Sequence, residues 1–308
     1  MTDEFDALMG KVCQEDVSLL EHYRLLYHKN RPLLDQEGGS VKIPHVIHFI
    51  WLGPKPFPPE SVENVRTWMA LHPTWTFNFW TDRERAPPCR GMQEHFVKDF
   101  PFFLLRDHYE RAENWGQKAD ILRYEILYQE GGLYIDHDAS CLKSFEPLHR
   151  SYDLYCCLEC PHPAHLGPRI TAGIGLLGAR AGHPVLQRCL HLVVEREKSI
   201  IHSTALKEQH FILQDTLSRT YLPFTYALQE AMDREGNCDI VLPAAYFYAK
   251  GDLPCLYSKH FYGASWLGGK NHSAESSMLK QVNQSKRFLN QGHLISLFTI
   301  LLVLVIWL

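Results

Sequence analysis

The sequence predicts an α/β protein built on an open sheet, mixed or parallel, with its ligands at the carboxyl ends of the strands. Three observations predict it. Short apolar runs alternate with segments of helical periodicity along most of the 308 residues. The stretch from Lys118 to Asp138 reads as helix, glycine stop and strand in immediate succession. That strand delivers two carboxylates, Asp136 and Asp138, to its end.

From the amino terminus, an amphipathic helical segment is expected from Val12 to His28, with Leu19, Leu20, Tyr23, Leu26 and Tyr27 on one side. It would cap the core or help bind an acceptor. Strands follow near 45–51 and 76–80. The next helix places Ile121, Leu122, Ile126 and Leu127 near 3.6-residue spacing, and Gly131-Gly132 close it. Leu133 to Asp136 alternate, so an extended chain would set Tyr134, Asp136 and Asp138 on one face. Further strands are expected near 153–158, 173–178 and 240–242, with helices near 183–197 and 205–220.

Two carboxylates at one strand end repel each other unless a cation or an arginine neutralises them, and oxygen ligands suit a hard ion such as Mg2+ or Mn2+. An ion held this way would carry a diphosphate. Asp120 and Arg123 are three apart on the helix and therefore neighbours, able to reach the same pocket. A lone Asp-x-Asp also occurs in ordinary loops, and Asp120 with Arg123 also reads as a surface pair worth a few tenths of a kcal/mol. Trp51 and Tyr134 equally read as core aromatics.

Together, Ala119-Asp120 to Arg123, Gly131-Gly132, Tyr134 and Asp136-His137-Asp138 resemble the central signature of the DXD-containing sugar-transferase family, which includes mannosyl- and galactosyltransferases and is related to the glucosylating clostridial toxins. Lys42 to Gly53 is similar to the family's first strand, Asn78 to Asp82 to its second, and His260-Phe-Tyr-Gly-Ala-Ser-Trp266 to its closing segment. The resemblance implies a Rossmann-like nucleotide-sugar fold of GT-A type, a mixed sheet with helices on both faces. It implies that Asp138 coordinates Mn2+ or Mg2+, that Asp136 contacts the donor and the ion, and that His260 adds a metal or diphosphate contact. It also implies that Asp120 and Arg123 bind hydroxyls of the donor sugar, Trp51 stacks near the base, and Tyr134 lines the base and ribose pocket. Trp266 would close over the diphosphate, with Ser265 beside it among the donor-binding residues. The donor would be a UDP-hexose or GDP-mannose, the acceptor a glycan, lipid or protein, and the reaction retaining.

The acceptor side departs from the family pattern. Thr171-Ala-Gly-Ile-Gly-Leu-Leu-Gly178 lacks an asparagine common among members, and His210 to Thr216 replaces a Thr-Gly-Pro segment, leaving Asp215 as a weak candidate nucleophile. A Mg2+-dependent phosphohydrolase or nucleotidyltransferase also uses paired aspartates, but it needs a phosphate loop or an Asp-x-Asp-Gly-Thr pattern that is not in the chain. A membrane-tethered nucleotide-sugar-binding protein with a degenerate transferase fold is the remaining alternative.

Composition bounds the rest. A chain with 45% hydrophobic residues supports one large domain. A net charge of -4 gives no footprint for nucleic acid. Nine scattered cysteines fit reduced thiols, although Cys157, Cys160, His162 and His165 together offer four zinc ligands. The uncharged tail Leu294 to Leu308 spans roughly 22 Å as a helix at about 1.5 Å per residue, suiting a thin membrane or a helix extended back past Gly292. Lys280, Lys286 and Arg287 precede it, which favours a catalytic domain on the cytosolic face, and from the acidic start no cleaved secretory signal is expected. The expected organisation is therefore an N-terminal helical appendage (1–41), a transferase domain (42–268), a polar linker (269–292) and a single-pass membrane anchor (293–308).

Overall fold

A computed structural model describes residues 3–9, 17–36, 38–159, 170–200 and 217–263. The described strands are β1 (Val46–Trp51), β2 (Thr76–Thr81), β3 (Gln93–Phe96), β4 (Gly132–Ile135), β5 (Ala139–Cys141), β6 (Leu154–Leu158), β7 (Ala172–Ala179), β8 (Asp239–Leu242) and β9 (Ser258–His260). The described helices are α1 (Glu4–Met9), α2 (Val17–Asn30), α3 (Pro59–Leu71), α4 (Arg106–Arg111), α5 (Trp115–Glu130), α6 (Glu146–Ser151), α7 (Pro184–Ile200) and α8 (Leu222–Ala231).

Seven strands form a mixed, mostly parallel sheet in the order β3-β2-β1-β4-β7-β6-β8. β7 runs antiparallel to β4 and β6, while the other neighbouring pairs are parallel. Strands buried on both faces read as continuous apolar runs, and β1, β4, β6 and β7 are buried almost throughout. β3 is the exception. It is an edge strand whose Gln93 and Glu94 are exposed, so no apolar run announces it. A separate antiparallel pair, β5 with β9, brings residues more than a hundred positions apart into register.

α2 buries Leu20, Tyr23, Leu26 and Tyr27, as the amphipathic pattern requires, and packs along β8. α1 adds Phe5 and Met9 to the same core. The helix expected over 205–220 is described only from Leu217, where a π-helical turn (Leu217–Tyr221) leads into α8, which carries Pro223 in its first turn. The described fold belongs to the unit Met1–Phe261; of the second unit, Tyr262–Leu308, only Tyr262 and Gly263 are described. Ser265, Trp266, Asp215, Cys160, His162 and His165 lie outside the described residues, as do the linker and the apolar tail. Among the described residues no helix is long and apolar enough to cross a membrane. The described cysteines are free thiols, and the Cys157 thiol donates to the Pro243 carbonyl at 3.0 Å.

One buried carboxylate fixes the approach to α4. Glu125 on α5 is fully buried and accepts the backbone N–H groups of Phe103, Leu104 and Leu105 at 2.6–2.8 Å. Leu105 precedes α4 and offers no side-chain cap, so Glu125 supplies from another helix the acceptors that the incoming backbone needs. We predict that Glu125→Ala lowers stability by about 2 kcal/mol or more, because it strands several buried donors. A denaturant midpoint equal to that of the wild type would contradict this.

Candidate active site

The site begins at the carboxyl edge of the parallel strands. α5 starts there because the Asn114 side chain caps it, accepting the N–H groups of Gly116 at 2.7 Å and Gln117 at 3.2 Å. It ends where the sequence places its glycines. Gly131 and Gly132 have φ of +68° and +104°, and an added Cβ would fall 2.7 Å from Ala181 N or Val46 O respectively. His48, fully buried in β1, clamps this turn by donating through Nε2 to the Gly131 carbonyl at 2.9 Å, while Nδ1 accepts from Trp80 Nε1 at 3.1 Å. Burial pushes its pKa down to about 4, so it is a neutral structural hinge pin.

β4 stops at Ile135, short of the extended run to Asp138 that strand alternation requires, and Asp136 to Asp138 form a turn into β5. The expectation of a shared strand face is therefore corrected. The two carboxylates converge because the turn folds them together, with Asp136 N–H donating to Gly175 O at 2.7 Å and Ala139 N–H to Asp136 O at 3.2 Å. β9 then places His260 opposite Ala139. One ligand atom from each of Asp136, Asp138 and His260 lies within 4.8 Å of the others, with His260 Nε2 3.5 Å from an oxygen of each carboxylate. A Cβ at Gly175 would fall 2.5 Å from Asp136 Oδ2, so this β7 position leaves the space that the cluster occupies.

Arg123 organises the inner wall. Its Nη2 lies 2.7 Å from Asp120 Oδ1 and 3.5 Å from Asp136 Oδ1, its Nη1 donates to Ile174 O at 2.6 Å, and its guanidinium stacks 4.1 Å from the Tyr134 ring centroid. Tyr134 in turn donates its hydroxyl to Asp136 Oδ1 at 2.7 Å, and Thr220 donates to Asp120 Oδ2 at 2.7 Å. Asp120 and Arg123 are buried, so the reading of a solvated surface pair does not apply.

The charges follow from this packing. Burial works to raise the Asp136 carboxyl, but Arg123, then His260 and Tyr134, outweigh it and hold it well below the usual carboxylate range. Burial works against a charged His260, and the facing Asp138 and Asp136 carboxylates overcome it and raise its pKa. For Asp120 burial wins over Arg123 and Thr220 and pushes the pKa up to about 6. Two carboxylates and an imidazole converging at ion-coordinating separations fit a divalent cation that accepts both oxygen and nitrogen, as Mn2+ does.

Asp120, Arg123, Tyr134, Asp136, Asp138 and His260 thus come together. Trp51 stands apart from them. Its indole is buried edge-on against His137 (centroids 4.9 Å apart), and its N–H donates to Lys55 O at 2.9 Å. The middle residue of the motif, His137, faces Ser61 and Asn64 of α3. Other residues at this edge carried no signal in the motif reading. Tyr248 packs 5.3 Å from the His260 ring and accepts the Leu176 N–H at 2.8 Å, in space opened by Gly173. Glu159, just past β6, accepts the Tyr221 hydroxyl. Trp115 lies over Gly53, where a Cβ would meet the indole at 2.8 Å, and remains 38% exposed. The alternating glycines of β7 were the available hint, since glycine in a strand marks a close approach.

Residues 58–155 match the family described as "Glycosyltransferase sugar-binding region containing DXD motif". The resemblance carried by Asp120, Arg123 and Asp136-His137-Asp138 is therefore borne out. Among curated proteins, the chain is 30% identical over 149 residues to "Inositol phosphoceramide mannosyltransferase 3" of Schizosaccharomyces pombe, covering 48% of this chain and 36% of that protein. It is 34% identical over 113 residues to "Mannosyl phosphorylinositol ceramide synthase CSH1" of Saccharomyces cerevisiae, covering 36% of this chain and 27% of that protein. The chain thus spans about a third of the length of these relatives or less. Among solved structures, "PaToxG Glycosyltransferase" matches with a TM-score of 0.49 and 16% identity, over 72% of this chain and 82% of that one.

The raised Asp120 pKa makes stability depend on pH. A carboxyl titrating near 6 when folded and near 3.8 when unfolded binds more protons in the folded state between those values. Its stabilising protonated form is fully present below about 3.8 and is lost as pH rises through about 6. The melting temperature of wild type should therefore fall relative to Asp120→Asn as pH is raised from about 4 to about 6. Parallel curves across that window would contradict the burial argument.

Proposed function

We propose that this chain, which carries the DXD-containing sugar-transferase region, is a metal-dependent retaining glycosyltransferase that moves a hexose from a nucleotide-sugar donor to an acceptor hydroxyl. The observation that carries the reading is the convergence of Asp136, Asp138 and His260 beside the buried Asp120–Arg123 pair. The mannosyl group in the names of both relatives favours mannose as the hexose transferred.

The proposed division of labour follows the geometry. Asp136, Asp138 and His260 hold Mn2+ or Mg2+, which when bound supplies positive charge to the donor diphosphate and favours its departure. Asp120 and Arg123 receive the hydroxyls of the donor sugar, and their mutual bond fixes both groups before the ligand arrives. Arg123 and the Tyr134 hydroxyl also keep Asp136 ionised and aimed. Trp51 stays a candidate for the base contact from the family resemblance, although its indole is buried against His137. Ser265 and Trp266 are retained as donor-binding residues from the family resemblance.

The apolar tail 294–308 is proposed as a membrane anchor, with Lys280, Lys286 and Arg287 holding the catalytic unit on the cytosolic face. A degenerate binding scaffold is the less favoured reading, because Asp120, Arg123, Asp136, Asp138 and His260 converge among the described residues.

The full chain, incubated with Mn2+ and either GDP-mannose or a UDP-hexose, should release the nucleoside diphosphate from one of them. Asp136→Ala/Asp138→Ala should lower that release by about 100-fold or more while the melting transition persists. Release at the wild-type rate by this double variant would remove the proposal.

A further inference from the structure

An aspartate that is to receive a sugar hydroxyl needs its carboxylate plane fixed before the ligand arrives. The terminal torsion of an aspartate is soft and broadly populated, so a single anchor leaves the plane free to turn. Asp120 has two anchors. Arg123 Nη2 lies 2.7 Å from Oδ1, and the Thr220 hydroxyl donates to Oδ2 at 2.7 Å from a position 100 residues further along the chain.

Thr220 is held firmly enough to serve as the second anchor. It is fully buried, so bulk water does not compete for its hydroxyl, and its branched Cβ limits the rotamers open to it. It belongs to the π-helical turn Leu217–Tyr221, and turns of this kind are rare and recur at functional sites. Both sides of the turn are tied down. The Tyr124 hydroxyl donates to the Thr220 carbonyl at 2.8 Å, and the Tyr221 hydroxyl donates to Glu159, just past β6. Tyr124 and Asp120 are four apart on α5 and share a face, so one helix holds the backbone of Thr220 and accepts its side chain.

Arg123 has further partners that do not pass through Thr220. Its Nη1 donates to Ile174 O at 2.6 Å, its Nη2 lies 3.5 Å from Asp136 Oδ1, and the Tyr134 ring covers its face. Removing the Thr220 hydroxyl therefore leaves the inner wall beside Asp136 supported, whereas Asp120 Oδ2 loses a buried donor. The sugar side and the diphosphate side of the site thus depend on Thr220 to different degrees.

We infer that Thr220 is a positioning residue for donor-sugar recognition: its hydroxyl, fixed by the π-helical turn, sets the Asp120 carboxylate in the orientation that receives the sugar's hydroxyls. The inference rests on the transferase reading. Thr220 acts through Asp120 and takes no part in bond making or breaking. A site that reads a sugar by hydrogen bonds discriminates through the pairing of its buried polar groups, so loosening Asp120 costs recognition of the sugar and spares recognition of the nucleotide.

The test uses the full chain with Mn2+, the nucleotide sugar that the wild type consumes, and the matching nucleoside diphosphate as inhibitor. Thr220→Val keeps the shape of the side chain and removes its hydroxyl. Its kcat/KM for the nucleotide sugar should fall about tenfold or more, while the inhibition constant of the nucleoside diphosphate stays within about twofold of the wild-type value. Thr220→Ser, which restores the hydroxyl, should recover most of the lost kcat/KM. If Thr220→Val does not fold, Tyr124→Phe removes the bond to the Thr220 carbonyl, keeps the hydroxyl in the chain and reads the same two constants, with kcat/KM again lowered and the inhibition constant kept. A wild-type kcat/KM in Thr220→Val, a matching loss of nucleoside diphosphate affinity, or no recovery in Thr220→Ser overturns the inference while leaving the transferase reading intact. Failure of the wild type to consume any nucleotide sugar would instead overturn that reading and this inference with it.

Discussion

The arrangement turns on a single buried guanidinium. Arg123 is removed from water on a helix interior, and a charge so placed persists only when its partners are supplied by the fold. Three elements supply them: Asp120 from its own helix, Asp136 from the turn after β4, and the Ile174 carbonyl from β7. The Tyr134 ring covers its face. Meeting that requirement fixes the relative positions of α5, β4 and β7, which together form the inner wall of the site.

Topology supplies what the local signature cannot. Because β7 runs against its neighbours, its amino-terminal half lies beside the carboxyl end of β4, so Gly173, Ile174 and Gly175 meet Tyr248, Arg123 and Asp136 there. The β5–β9 pair carries His260 to the carboxylates across the chain. Glycine at position 175 and the antiparallel β7 are two parts of one solution: a strand without a side chain at that point leaves room for a carboxylate and an imidazole to converge.

The central strands were legible because burial on both faces writes itself as apolar runs at 45–51, 76–80, 153–158, 173–178 and 240–242. The helix stop at Gly131-Gly132 was legible because left-handed backbone selects glycine. β3 was not, since an exposed edge strand need not be apolar. Strand alternation also misled at Asp136, where a turn rather than a pleat unites the carboxylates. Glu125 and Thr220 act through partners 20 and 100 residues away in the chain, a separation no local pattern encodes. His260 was reachable only through resemblance. Its role depends on a three-residue strand whose partner, β5, lies more than a hundred positions earlier in the chain.

The central claim is that the two carboxylates and the imidazole form a divalent-ion site that works with a nucleoside diphosphate. Titrating Mn2+ into the full chain and following the free-ion paramagnetic resonance signal, with and without GDP or UDP, tests it most directly. One ion should bind per chain, more tightly when a nucleoside diphosphate is present, and binding should be lost in Asp136→Ala/Asp138→Ala. Stoichiometry and affinity unchanged by that double substitution would contradict it.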